Sequence, residues 1–197
     1  MADGFTFPIE ASDDNIIEIL GERTGSLDIR GKRNRVFIGE GAKFDGDLQI
    51  VGDDNVIEVG AWATVRGSYF GIMASNSSIA FGEGGGAVQT ALHVYETGRI
   101  VIGRNCALGV QTWISNTDMH PVFDLATGER INPATDVVIG DHVWIGLRSI
   151  VLKGSNIEAG AVVGAGSTVS GHVAKDTAVG GSPAKLIRSG VRWEWDF

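Results

Sequence analysis

The chain has 197 residues, enough for one domain with a sizeable core, and 43% hydrophobic against 20% charged residues is a soluble globular balance. A net charge of −8 argues against a nucleic-acid or anionic-membrane partner, which would need surplus Lys and Arg. The lone cysteine, Cys106, cannot close an internal disulfide, and no apolar run approaches the roughly 18 residues of a membrane span; a cytoplasmic protein is expected.

Residues 1–30 are acidic and mixed. "MADGFTFPIEASDD" holds no apolar core segment, so it does not read as a secretory signal. This segment is expected to pack on the body of the domain. Glycine is the compositional outlier, with 29 against four prolines. Val and Ile are also abundant and evenly spaced, so the composition is not that of a disordered chain. Glycine beside β-branched residues at a fixed interval predicts short strands joined by tight corners.

Weak copies of a repeat appear at Ile38-Gly39 and at Val59-Gly60 with Val65. The frame firms up at Ile102, Leu108 and Ile114, with Cys106 and Thr112 at intervening small positions. After a gap it resumes as Ile139, Ile145, Val151, Ile157, Val163 and Val169, an apolar anchor at every sixth position. Val143, Ser149, Ser155, Ala161, Ser167 and Val173, four places after each anchor, are small or β-branched. One inward side chain per six residues, on three sides, gives a coil of about 18 residues stacked on the next, a parallel β-helix of the hexapeptide class. A sandwich would alternate with period two instead.

Between Ile114 and Ile139 lie 25 steps, not a multiple of six. The segment "HPVFDLATGERINPATD" carries Pro121, Gly128 and Pro133 and reads as a loop near 120–137 extruded from the coil. Function concentrates on loops held by rigid scaffolds. His120 stands where the coil ends, and Pro121 restricts its backbone to extended geometry. The chain therefore divides into an N-terminal segment 1–30, an all-β coil 31–182 with the loop 120–137, and a C-terminal segment 183–197. Residues 171–197 carry Lys175, Lys185, Arg188 and Arg192 against Asp176, Glu194 and Asp196, a local surplus of one positive charge. The aromatic tail "VRWEWDF" is expected to pack on its own or a neighbouring subunit.

"VVIGDHVWIGLRSIVLKGSNIEAGAVVGAGSTVS", with "TDMHP" before it and "AVGGSPAKLIRSG" after it, resembles the hexapeptide-repeat acyltransferases. The His-Pro is similar to that of the family's sugar and capsular-polysaccharide O-acetyltransferases. The resemblance is good over 100–190, weaker over 30–99, and does not clearly cover 1–30. It implies a left-handed β-helix ending in a short C-terminal helix or tail. It also implies a homotrimer with active sites between subunits, a loop that reaches over a neighbour, and acetyl-CoA as acyl donor. His120 would be the general base, since an imidazole with a reference pKa of about 6.5 can take the acceptor's hydroxyl proton and return it to the thiolate. The hydroxyl acceptor would be a saccharide. Trp144, Gly146, Ala165, Ser170, Lys185 and Arg188 match donor-binding positions. The Thr-Lys-Asp usual in the galactoside and maltose enzymes is here Ser170-Gly171-His172, so one cofactor contact lacks its lysine.

Other residues carry two readings. Trp113 and Asn116 are candidates for the acceptor or simply part of the coil. Asp118 would orient the imidazole, contact a sugar hydroxyl or cap the loop turn. Arg130 and Asn132 would touch the acceptor or tie the loop down. His142 and His172 read as exposed corner residues, and His93 as a candidate for the cleft. The γ-class carbonic anhydrases, which hold zinc with three histidines on this fold, are a rival. They pair two histidines five residues apart, and the spacings here are 27, 22 and 30, so no metal is expected. N-acetyl transfer to an amino sugar and a non-catalytic scaffold are the remaining alternatives.

Overall fold

The computed structural model describes residues 14–196. Over this span the chain winds as a three-sided coil of short strands, with no helix among the described residues. One eight-stranded sheet is the first face. It runs from Ile16–Ile19 through Arg35–Ile38, Val56–Val59, Ser78–Phe81, Arg99–Ile102, Val137–Ile139 and Asn156–Ile157 to His172–Val173. The other two faces belong to a single 14-stranded sheet. They are joined because two nine-residue strands, Lys43–Val51 and Thr64–Ile72, continue past the corner between them. The second face includes Gly86–Val88, Ala107–Leu108, Trp144–Ile145 and Val162–Val163. The third includes Ala91–Val94, Trp113–Ser115, Ile150–Val151 and Thr168–Val169. Pairing from coil to coil is parallel, as the hexapeptide frame predicts, and the solenoid matches the left-handed β-helix that the resemblance implies.

The anchors of that frame are the core. Ile102, Ile114, Ile139, Ile145, Val151 and Ile157 are all buried. The frame fades upstream because those coils are longer. There Val36 pairs with Ile57 and Ile57 with Ile79. Downstream, Val138 pairs with Asn156, a shorter step that keeps the sixfold frame. A longer coil encloses more space, and aromatic side chains fill it. Phe44 and Phe70 meet edge to face at 5.2 Å, and Phe70 lies 6.0 Å from Phe81.

Side chains at the corners carry hydrogen bonds from one coil to the next. The Asn15 Oδ1 accepts from the Asn34 N–H, the Asn34 Oδ1 from the Asn55 N–H, and the Asn55 Oδ1 from the Ser77 N–H. Downstream the Ser149 and Ser167 hydroxyls accept from Ser167 N–H and Gly181 N–H. Each oxygen pairs a buried backbone donor that the turn would otherwise orphan. Cys106 fills one small position. Its Sγ lies 3.1 Å from the Gly140 carbonyl, and burial pushes its thiol up to about 11.

Three expectations need correction. The segment expected as a separate N-terminal part up to residue 30 supplies Ile16–Ile19, Glu22–Thr24 and Leu27–Arg30, which form the first coil in register with the next; residues 1–13 lie outside the described residues. At the other end, in place of a short helix, Lys185–Ser189 folds back antiparallel on Thr177–Gly180. The tail then returns across the second face. Trp193 stacks on His142 at 4.3 Å and donates from Nε1 to the His142 carbonyl, while the His142 ring meets the Trp193 carbonyl at 3.1 Å. Trp195 lies against Gly86. The tail thus packs on its own chain, and His142 is half-buried beneath it rather than exposed. Among the described residues no helix is long and apolar enough to cross a membrane.

Phe70→Ala should cost about 3–5 kcal/mol by opening a cavity in the wide coils. Asn34→Ala should cost about 1–3 kcal/mol by leaving the Asn55 N–H and Gly52 carbonyl unpaired. Urea unfolding of each variant against wild type measures both.

Candidate functional site

The loop leaves the coil at the corner between the third and first faces. Ser115, Asn116 and Thr117 are still buried there. The Thr117 N–H donates to Ser115 Oγ, and the Met119 N–H to Thr117 Oγ1 at 2.6 Å. Met119 has φ of 71°, a left-handed conformation that a non-glycine residue adopts only when its surroundings enforce it. The reversal turns His120 outward, and the His120 N–H closes the turn on the Asp118 carbonyl at 2.9 Å.

Asn132 fixes the next stretch of the loop. Its Nδ2 donates to the His120 carbonyl at 2.9 Å and to Asp118 Oδ2 at 3.0 Å, and its Oδ1 accepts from the Val122 N–H at 2.6 Å. One buried amide therefore grips the backbone on both sides of Pro121. Arg130 braces that amide, donating to the Asn132 carbonyl at 3.2 Å while its guanidinium meets both Glu96 oxygens at 2.6 Å. Lys153 Nζ lies 2.7 Å from Asp118 Oδ2 and donates to the Pro133 carbonyl. The His120 ring is exposed and takes no hydrogen bond from a described residue. Its position is set entirely through its backbone.

Glu96 and Lys153 were not singled out from the sequence. Both occupy the same corner as the loop, Glu96 one coil before it and Lys153 one coil after. Knowing the length of each coil would have aligned them. The ion pairs shift the acids. Hydrogen bonding from Lys153 holds the Asp118 carboxyl below its ordinary range, and Arg130 does the same for Glu96. Beyond the clamp the loop doubles back, with Phe123 bridged to Arg130 and the Asp124 carboxylate capping the Ala126 and Thr127 N–H groups. The resulting arm exposes Val122, Phe123, Leu125 and Ile131, with Leu125 fully exposed at 103%.

The expected acceptor residues separate into two kinds. Asn116 is completely buried, and its amide is spent on the Glu96 carbonyl and the Tyr95 N–H, so it offers nothing to a ligand. Asp118 and Arg130 are committed to the loop anchors. Trp113 is half-buried on the third face beside His93. The donor candidates lie elsewhere. Trp144, 44% exposed, is on the second face, 6.3 Å from Trp193. Gly146 stacks so closely on Ala165 that a Cβ would fall 2.6 Å from the Ala165 nitrogen. Ser170 and Lys185 line a cleft of about 310 Å³ at the last coil, with His172, Ala184 and Leu186. Arg188 is exposed on the antiparallel strand. Within one chain, then, His120 and the donor candidates on the second face occupy different sides of the prism. His172 pairs with Glu158 at 3.0 Å. Among the described residues no three His, Cys, Asp or Glu are grouped to hold a metal ion.

No family model matches the chain. It is 32% identical over 136 residues to a polysialic acid O-acetyltransferase of Neisseria meningitidis, a match that takes in 65% of this chain. The chain spans 60% of that relative's length, and 31% of the Escherichia coli O1:K1 protein of the same name. Among solved structures, the polySia-specific acetyltransferase NeuO superposes with a TM-score of 0.73 at 24% identity, over 94% of this chain and 84% of that one. The polysialic acid O-acetyltransferase OatWY gives 0.67 at 29% identity, over 93% and 89%.

The lowered carboxylates fix the sign of a pH effect. A depressed folded-state pKa contributes stability that is complete above the ordinary carboxylate range of about 4, and lost as pH falls through the lowered value. Amide exchange of loop residues 120–133, referenced to the core strands, should stay slow down to about pH 4 and accelerate below it. Glu96→Gln should accelerate it already at neutral pH.

Proposed function

We propose that this chain, which belongs to the hexapeptide-repeat acyltransferases, transfers acetyl from acetyl-CoA to a hydroxyl of a saccharide or polysaccharide with His120 as general base. The observation that carries this reading is the clamp on His120. Asn132, Arg130, Glu96, Asp118 and Lys153 hold the backbone of His120 at a fixed place and leave its exposed ring free. The imidazole takes the proton from the acceptor hydroxyl as its oxygen attacks the thioester carbonyl. The tetrahedral intermediate collapses with cleavage of the C–S bond, and the proton passes to the departing thiolate. The relatives named for O-acetyl transfer to polysialic acid support the saccharide class.

The division of candidates between faces supports a homotrimer. A site that needs both His120 and Trp144 is completed where the loop corner of one copy meets the second face of another, and the apolar arm 122–131 is suited to lie across that neighbour. Trp144, Gly146, Ala165, Ser170, Lys185 and Arg188 are proposed to hold acetyl-CoA. Small residues would admit the pantetheine arm, and Lys185 and Arg188 would meet phosphates. Trp113 is proposed to face the acceptor, with Asp118 and Arg130 holding the loop rather than touching sugar. A cytoplasmic location is proposed with the donor.

Release of free thiol from acetyl-CoA across a panel of sugars, oligosaccharides and amino sugars tests the reading. His120→Ala should lower hydroxyl-dependent release by about 10²-fold or more. A protein that serves only amines, with little loss in that variant, is an N-acetyltransferase; a wild type that binds no acetyl-CoA is not an acetyltransferase at all. Asn132→Ala should lower kcat by up to about 10²-fold through misplacement of the base, with acetyl-CoA affinity retained. Sedimentation of Leu125→Glu should show dissociation of the oligomer.

A further inference from the structure

Four aromatic rings gather on the third face, outside the clamp around His120. His93 lies stacked on Tyr95 at 5.3 Å, 5.0 Å from Tyr69 and 5.6 Å from Trp113. All four are half-buried. Their polar ends are largely free. Among the described residues, the His93 ring nitrogens, the Tyr95 hydroxyl and the Trp113 Nε1 have no hydrogen-bond partner. The Tyr69 hydroxyl alone is engaged, with Gln49 Oε1 at 2.8 Å, and Gln49 in turn donates to Asp28.

The cluster is ordered by the coil. Asp28, Gln49, Gly71, His93 and Ser115 are successive partners in one line across the strands. The place of a side chain at Gly71 is taken by Tyr69, whose ring carbons a Cβ there would meet at 2.5 Å and whose hydroxyl lies closer still. Tyr69, His93 and Trp113 stand on three adjacent strands, about 10 Å of that line at about 4.8 Å per strand, and the half-buried Gln49 and Asp28 continue it beyond the length of one sugar ring. The line ends at Ser115, from which the chain goes directly into the turn that presents His120. Asn116 ties that turn to the strand of His93 and Tyr95, donating to the His93 and Glu96 carbonyls and accepting from the Tyr95 N–H. Burial pushes the His93 imidazole down, so at neutral pH it presents one donor and one acceptor, the complement of a hydroxyl.

We infer that Tyr69, His93, Tyr95 and Trp113 form a subsite for an extended saccharide chain, which lies along the axis of the coil with its acetylated residue at His120. Ring faces pack on the C–H faces of sugars, and the free N–H and O–H groups meet their hydroxyls. Arg30, at the far end of the line, is turned to Asp28 at 2.9 Å. The purpose of the subsite rests on the acetyl-transfer reading; its binding chemistry does not.

Two oligosaccharide ladders test it, one of sialic acid oligomers and one of uncharged hexose oligomers, each from the monomer upward. In the ladder that is acetylated, kcat/KM should rise with chain length until the track is filled. In Tyr95→Ala the ratio of longest to shortest should fall by about 3- to 10-fold, the effect of one lost aromatic contact, while Tyr95→Phe keeps most of it. Thermal melts of both variants show that they fold. A second arm uses ligand-observed NMR without acetyl-CoA. His120→Ala protein should bind long oligomers, and the Tyr95→Ala, His120→Ala double variant should bind them more weakly. That arm upholds the track even if no acetyl transfer is found. A ratio unchanged in folded Tyr95→Ala, or no binding of either ladder by wild type, overturns the inference and leaves the rings as a seal over the sheet.

Discussion

Each coil must return to the same corner, so that its backbone N–H and C=O groups meet those of the next coil. This is the constraint on which the rest of the molecule depends. The longer upstream coils and the shorter downstream ones both satisfy it, provided that extra residues are absorbed at a corner or a wider side. Ile100 pairs with Val137, a step far longer than either kind of coil needs. The surplus cannot be spread over the sides without breaking every pairing, so it leaves as a loop at one corner. The loop is therefore imposed by register, and its root is as rigid as the coils on either side.

That rigidity reaches His120 through backbone groups. Glu96 from the coil before and Lys153 from the coil after converge on the loop, Glu96 through Arg130 and Lys153 through Asp118. These pairs are partly exposed, and such pairs add little to global stability. Their effect is local, since they decide where Asn132 sits and hence where the His-Pro peptide is held. Positioning of a proposed base to within a fraction of an ångström matters far more to a reaction than to folding.

The coil was legible because one inward residue in six is a demand of packing, and packing is written in side-chain type. Ile139 to Val169 could be read directly. The upstream coils were harder, since their greater and uneven lengths leave no fixed frame and Phe44, Phe70 and Phe81 replace the expected β-branched anchors. Residues 16–30 carry short strands whose partners lie a whole coil further along the chain, which local pattern does not reveal. His120 stood out through the interruption and the proline. Glu96 and Lys153 could not, because two charged residues so distant in sequence become neighbours only once the coil lengths are known. Asn116 looked available because polarity alone does not say whether an amide faces solvent or backbone.

A stack in which each coil touches only its neighbours behaves as a one-dimensional chain, and such chains fray from their ends. The returning tail alters this. Trp193 is seated on His142, and Trp195 against Gly86, two strands further up the second face. The last coils cannot peel away without also releasing contacts made well inside the stack. Opening at the C-terminal end is thereby linked to the middle, and partial unravelling is exchanged for a more nearly all-or-none transition.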